Sequence, residues 1–236
     1  MNYYFLLEDE KSFIKVLPKW LKHMNFPCER VPDIKFVEDR NYVLQSGQGV
    51  TQLITKVLFE TIDTINENPK TIDKLIIILD AEEEIVEERR RQVFSKIEEK
   101  YDISDLDFKI EVFVCNHCFE SWLLGCEWVY PKNEVEVESF FHSFYSHYDV
   151  SKCDPETMPV PTYCNETTAK YHFHYLHDML RYKKMRYNKN KPNVVSDAAY
   201  FNGLLERISK TEHIGTFREF IDFVINESSH MQRHLI

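Results

Sequence analysis

The segment Lys74-Leu75-Ile76-Ile77-Ile78-Leu79 constrains this chain most, because it is apolar without alternation and ends abruptly on Asp80. A strand with one face in water alternates apolar and polar side chains. An unbroken run needs both faces covered, as at the centre of a parallel sheet packed between helices. Residues 3–7 form a second apolar run of strand length. Residues 11–24 follow with Phe13, Leu17, Trp20, Leu21 and Met24 at helical spacing, and Pro18, which lacks a backbone donor, is expected to kink or end that helix. Residues 34–44 are β-rich but broken by Glu38-Asp39-Arg40, and Ser46-Gly47-Gln48-Gly49 leads into a helix with Leu53, Ile54, Val57, Leu58, Ile62 and Ile65 on one face. A charged helix is expected over about 83–100 with Ile85, Val93 and Ile97 inward, then a strand over 108–114 and a helix start at Cys118.

Strands alternating with helices through short connections imply an α/β fold: a parallel sheet flanked by helices over residues 1–128, with right-handed crossovers. From 129 to 236 the character becomes mainly helical, with aromatic periods at Phe140, Phe141, Phe144 and Tyr145, at Tyr171, Tyr175 and Met179, at Ala199, Leu204, Leu205 and Ile208, and at Phe217, Phe220, Ile221 and Val224. A loop is expected over 153–161. With 236 residues, 43% of them hydrophobic, the chain can bury a sizeable core, and five Gly and nine Pro leave no long linker. The N-terminus lacks a basic region and turns acidic at Glu8, so neither a signal peptide nor a membrane span is expected, and a cytoplasmic setting follows. There the six cysteines are expected to stay reduced.

Ligands of open parallel sheets collect beyond the carboxyl ends of the strands. This chain places Glu8-Asp9-Glu10 after one strand and Asp80-Ala81-Glu82-Glu83-Glu84 after another. Carboxylates also begin helices, where the dipole favours them, and that reading suffices for Asp9, Glu10, Glu83 and Glu84. Glu8 and Asp80 directly end apolar strands, where a second like charge is costly unless a cation neutralises it. A hard cation such as Mg²⁺ wants such oxygens and keeps several waters, which suits phosphodiester chemistry.

Leu7-Glu8, the Gly47-Gln48-Gly49 turn, Leu79-Asp80-Ala81-Glu82 and Cys118-Phe119-Glu120-Ser121-Trp122-Leu123-Leu124 come in the order seen in Toprim-related proteins of the RloB type, which the first 128 residues resemble. The resemblance implies a Toprim-like core in which Glu8, Asp80 and Glu82 bind Mg²⁺ or Mn²⁺ and serve strand cleavage, and a nuclease role in antiviral defence. Two positions depart from the family pattern: Asp9 stands where glycine is usual, and Glu82 replaces the second aspartate of an Asp-x-Asp pair. Glu120 either joins the acidic cluster or caps its helix, while Trp122, Leu123 and Leu124 read as core.

A net charge of -10 excludes diffuse, charge-driven wrapping of nucleic acid, so any such contact is local. The one concentrated basic tract is Arg181-Tyr182-Lys183-Lys184-Met185-Arg186-Tyr187-Asn188-Lys189-Asn190-Lys191. Lys183, Lys184, Arg186 and Tyr187 could track a phosphate backbone and stack a base, or form a solvated helix end. His117 is a candidate general base or phosphate contact, whereas Cys115 and Cys118 make a weak zinc signal without a matching pair, and His172 and His174 read as helix surface. Besides a metal-dependent endonuclease, two other functions fit. One is a degenerate, non-catalytic Toprim subunit that binds a partner ATPase, since the chain has no phosphate-binding loop of its own. The other is a receiver-like domain phosphorylated on Asp80, against which speak the long separation of residues 8 and 80 and the lack of a lysine at the end of the strand at Val114.

Overall fold

In the computed structural model, which describes residues 1–233, five strands form one all-parallel sheet in the order β2-β3-β1-β4-β5. β1 (Tyr3–Leu7) is central, pairing with β3 (Asn41–Ser46) on one side and β4 (Lys74–Asp80) on the other. β5 (Lys109–Cys115) lies beyond β4, and the two-residue β2 (Glu29–Arg30) beyond β3. The non-alternating runs have the predicted cause. All five residues of β1 and the first six of β4 are buried, because helices cover both faces.

Alternate residues feed two cores. Tyr3, Phe5, Leu7, Ile76, Ile78 and Phe113 face one, and Tyr4, Leu6, Leu75, Ile77, Leu79 and Val112 the other. The first core takes Phe13, Trp20 and Leu21 from α1 (Phe13–His23). The second is closed by a helical stretch that begins as α2 (Val50–Gln52), passes through a π turn at Leu53–Val57 and ends as α3 (Leu58–Asn66), together with α4 (Val86–Glu98). After β5 come α5 (Phe119–Leu123), α6 (His142–His147), α7 (Thr168–Tyr182), α8 (Ala198–Lys210) and α9 (Gly215–Arg233). These C-terminal helices pack on the first face, where Phe113 of β5 meets Phe220 of α9 at 5.5 Å and Trp122 of α5 stacks on Phe220 at 5.9 Å. A buried ion pair, Lys74 to Glu227 at 2.6 Å, and a hydrogen bond from Tyr3 Oη to Glu227 at 2.7 Å fasten α9 to the amino ends of β4 and β1.

Three local expectations are corrected. Helix α1 runs through Pro18, because the lost hydrogen bond, worth about 3 kcal/mol, is outweighed by five buried side chains at ~1.5–3 kcal/mol each. The second predicted strand begins later, at Asn41, since Ile34–Phe36 turns as a 3₁₀ segment capped by Asp33. Ile85 is 72% exposed, because α4 starts after it and its extended backbone sets it outside the apolar face carried by Val93 and Ile97.

Candidate functional site

From β1 the chain moves outward to β2, returns through β3, and then crosses β1 to lay down β4 and β5. The direction of strand addition therefore reverses between β1 and β4, and at such a switch point the departing loops open a crevice beyond the carboxyl ends. Glu8 and Asp80 stand at this place. The Glu8 amide donates to the Ile78 carbonyl at 2.9 Å, the Glu8 carbonyl accepts from Gly49 N–H at 3.0 Å, and its Oε2 accepts the Asp80 N–H at 2.7 Å. The glycine turn makes this approach possible: Gly49 has φ of 91°, which other residues rarely adopt, and a side chain on Gly47 would meet Leu53 at 2.7 Å.

Both carboxyls resist ionisation. Burial raises Glu8 to about 7, the charge of Glu82 adds to the effect, and the amides of Asp80 and Val50 and the Arg89 guanidinium oppose it. Asp80 is held well above the usual carboxylate range by burial first, then by the charges of Glu8 and Glu120, with Lys189 relieving part of the repulsion. Two carboxyls that repel each other in a crevice are a site lacking positive charge.

Glu120 completes the acidic set in a different manner. It opens α5, is only 2% exposed, and accepts hydrogen bonds on Oε1 from Tyr187 Oη and Lys189 Nζ, both at 3.0 Å. Burial pulls Lys189 down, but Glu120 and Asp80 outweigh it and hold the ammonium above its ordinary value. The basic tract therefore reaches the crevice through two of its members. Tyr187, expected to stack a base, is buried against Glu120 instead, because its hydroxyl has a carboxylate partner inside. Lys183, Lys184 and Arg186 stay at least partly exposed. Sequence reasoning missed Lys189 as a site residue; its only signal was membership of the tract.

Glu82 sits at the edge of the cluster, beside Arg89. Its backbone sits in the left-handed region at φ 55°, its amide donates to the His117 carbonyl at 2.8 Å, and its carboxylate lies 3.7 Å from the guanidinium of Arg89. Arg89, buried on α4, also donates to the Ala81 carbonyl at 3.1 Å, which fixes the loop after Asp80. His117, itself at φ 64°, shares a hydrogen bond of 3.1 Å between Nδ1 and the Glu82 carbonyl, and so braces that loop from the end of β5. Two non-glycine residues in this conformation cost about 1–3 kcal/mol each, a strain held beside the crevice. Asp9 is taken up by its own loop: its Oδ1 accepts the amides of Lys11, Ser12 and Phe13 at 2.7, 2.5 and 3.0 Å, the last being the first residue of α1.

Cys115 and Cys118 are buried free thiols, and burial pushes both well above the ordinary range. His172 is fully buried rather than on a helix surface. Its Nε2 faces the Met158 carbonyl at 3.1 Å and its Nδ1 lies 2.9 Å from Ser121 Oγ, and burial lowers it to about 4, so the neutral ring ties α7 to α5. His174 stays on the surface, 2.9 Å from Glu166.

Among the described residues no group of three or more His, Cys, Asp or Glu side chains is placed to hold a metal ion. The donor chemistry of Glu8 and Asp80 nevertheless fits a hard divalent cation, which binds through one or two carboxylates and completes its shell with water. Among the described residues no helix is long and apolar enough to cross a membrane. Compared with known proteins, the chain matches no family model, no curated protein and no solved structure.

Proposed function

We propose that this chain is a metal-dependent nuclease that hydrolyses phosphodiester bonds of nucleic acid, with Glu8 and Asp80 as the residues that hold Mg²⁺ or Mn²⁺. The juxtaposition of these two carboxyls at the switch point of a parallel sheet, their mutual repulsion only partly relieved by Lys189, carries this reading. When bound, such an ion activates water and neutralises charge on the phosphate. The protein's own groups have separable tasks. Glu8 is oriented by the Asp80 amide, and Asp80 by the loop that Arg89 and His117 brace. Glu120 positions Lys189, whose ammonium is presented to the acids from the connection between α7 and α8. His117, partly exposed at the rim, is the residue placed to exchange a proton with substrate or water. A role in defence against foreign nucleic acid rests on the resemblance to Toprim-related proteins alone.

A second reading, a non-catalytic subunit serving a partner ATPase, is favoured by one observation: the Glu82 carboxylate is taken up by Arg89 instead of the cluster. Metal titration and cleavage separate the two. Mn²⁺ binding, followed by calorimetry, should weaken by at least about tenfold in Asp80→Asn and in Glu8→Gln, since losing even an orienting partner costs that much. Melting temperatures of both variants should equal or exceed the parent's, because each removes a repelling charge. Cleavage of DNA or RNA by the parent and not by Asp80→Asn supports the nuclease; Mn²⁺ affinity unchanged by both substitutions rejects it.

A further inference from the structure

In a chain with a net charge of -10, the segment that runs on from the last turn of α7 keeps most of its cations unpaired among the described residues. Among the described residues Arg181, Lys183, Lys184 and Arg186 form no ion pair, whereas Lys189, further along the same segment, is bound to Glu120 in the acidic crevice at 3.0 Å. Arg181, Lys184 and Arg186 line a groove of about 550 Å³ together with His177, Met185 and Tyr187. The groove and the crevice share a wall, because Tyr187 lines the first and its hydroxyl donates to Glu120 in the second. Arg186 and Lys189 are three residues apart, a span of at most roughly 10 Å.

Two of the lining residues also rest on aromatic rings. The Arg181 guanidinium lies 4.3 Å from the centroid of Phe140, whose ring is 46% exposed, and His177 stacks on Phe173 at 6.1 Å. Several cations beside an exposed ring suit a single strand, since its phosphates meet the charges and its unpaired bases find a π face. At the rim of the crevice, on the loops that follow β1 and β4, the sign is the other: Glu10, Glu82, Glu83 and Glu84 are all exposed. A duplex brings a second backbone, which this rim would repel.

We propose that this groove is the track of a single-stranded polynucleotide whose phosphates lie on Arg181, Lys184 and Arg186 and which leads to the crevice at Lys189; only the fate of the strand there rests on the nuclease reading. Fluorescence anisotropy without divalent metal tests the track, using a fluorescein-labelled oligothymidylate of about 20 nucleotides and a duplex of equal length. The strand should bind more tightly than the duplex. Replacing Arg181, Lys184 and Arg186 together by Ala should weaken strand binding at least about tenfold and flatten its salt dependence by about 2 in the log–log slope, as each single-strand phosphate contributes about 0.7. Replacing the exposed Lys35 and Lys96 by Ala, on other parts of the surface, is the control and should change neither. Charge-retaining Arg181→Lys, Lys184→Arg and Arg186→Lys together should restore the slope. No binding by the parent, equal or better binding of the duplex, or an unchanged slope in the triple alanine variant overturns the track. Strand binding as expected without metal-dependent cleavage leaves the track standing and removes the nuclease reading.

Discussion

Adjacent acids in this chain carry unlike tasks, set by what each side chain meets. Glu8 and Asp9 are neighbours, yet one accepts the Asp80 amide and the other holds the loop that enters α1 with three amide hydrogen bonds. Asp9→Ala should therefore destabilise the fold by about 1–2 kcal/mol, measured by urea unfolding, and leave Mn²⁺ affinity unchanged. Glu82→Ala should alter Mn²⁺ affinity far less than Asp80→Asn does, because Arg89 rather than the crevice engages its carboxylate; calorimetry on the two variants side by side decides it. The pair Glu8 and Asp80 was legible in the sequence because both end apolar strands. The diversion of Glu82 was not, since it depends on Arg89 of α4 and on a left-handed backbone that no residue type signalled. Tyr187 turned inward for a similar reason: its partner Glu120 lies on another element and is invisible to local pattern.

At the scale of elements, α9 is held at its start by a buried acid. Glu156, 5% exposed, accepts the Thr216 amide at 3.2 Å and the Thr216 hydroxyl, which in turn accepts from Trp122 Nε1 at 2.7 Å. Burial raises Glu156 to about 7 against the opposing effect of Thr216. A carboxyl raised in the folded state adds stability that is full below its unfolded value near 4.5 and is lost as pH climbs to about 7. His172, lowered to about 4, acts with the opposite sign, losing stability as pH falls from its ordinary 6.5. The difference between parent and Glu156→Gln isolates the first: the stability of the parent relative to Glu156→Gln should fall between pH 4.5 and 7, on the order of a few kcal/mol, in thermal melts across that range. A pH-independent difference would mean that Glu156 keeps its charge throughout. Four of the five strands and most helices were readable from periodicity; β2, only two residues long, was not. The run of α1 through Pro18 was not, because the burial of Trp20 and Leu21 against other elements decides it.

For the whole molecule, the C-terminal helices are one cover of the sheet. Tyr3, Phe5, Leu7, Ile76, Ile78 and Phe113 share a continuous core with Phe201, Phe217 and Phe220. A chain cut after residue 128 should consequently fail to reach a cooperative fold, seen as a broad, low-amplitude melt and strong binding of a dye for exposed apolar surface; a sharp melt would show that the sheet needs only its other cover. By itself the sequence determined the parallel α/β class and the positions of Glu8 and Asp80, because non-alternating strands admit few packings and the residues that end them must emerge at one edge. The tertiary structure alone decided which acids meet, that Glu120 is bound by Lys189 and Tyr187, and that the basic groove adjoins the crevice. Those are contacts between segments far apart in the chain. Their geometry depends on strand order and on how α5 and α7 pack, and neither leaves a trace in local spacing.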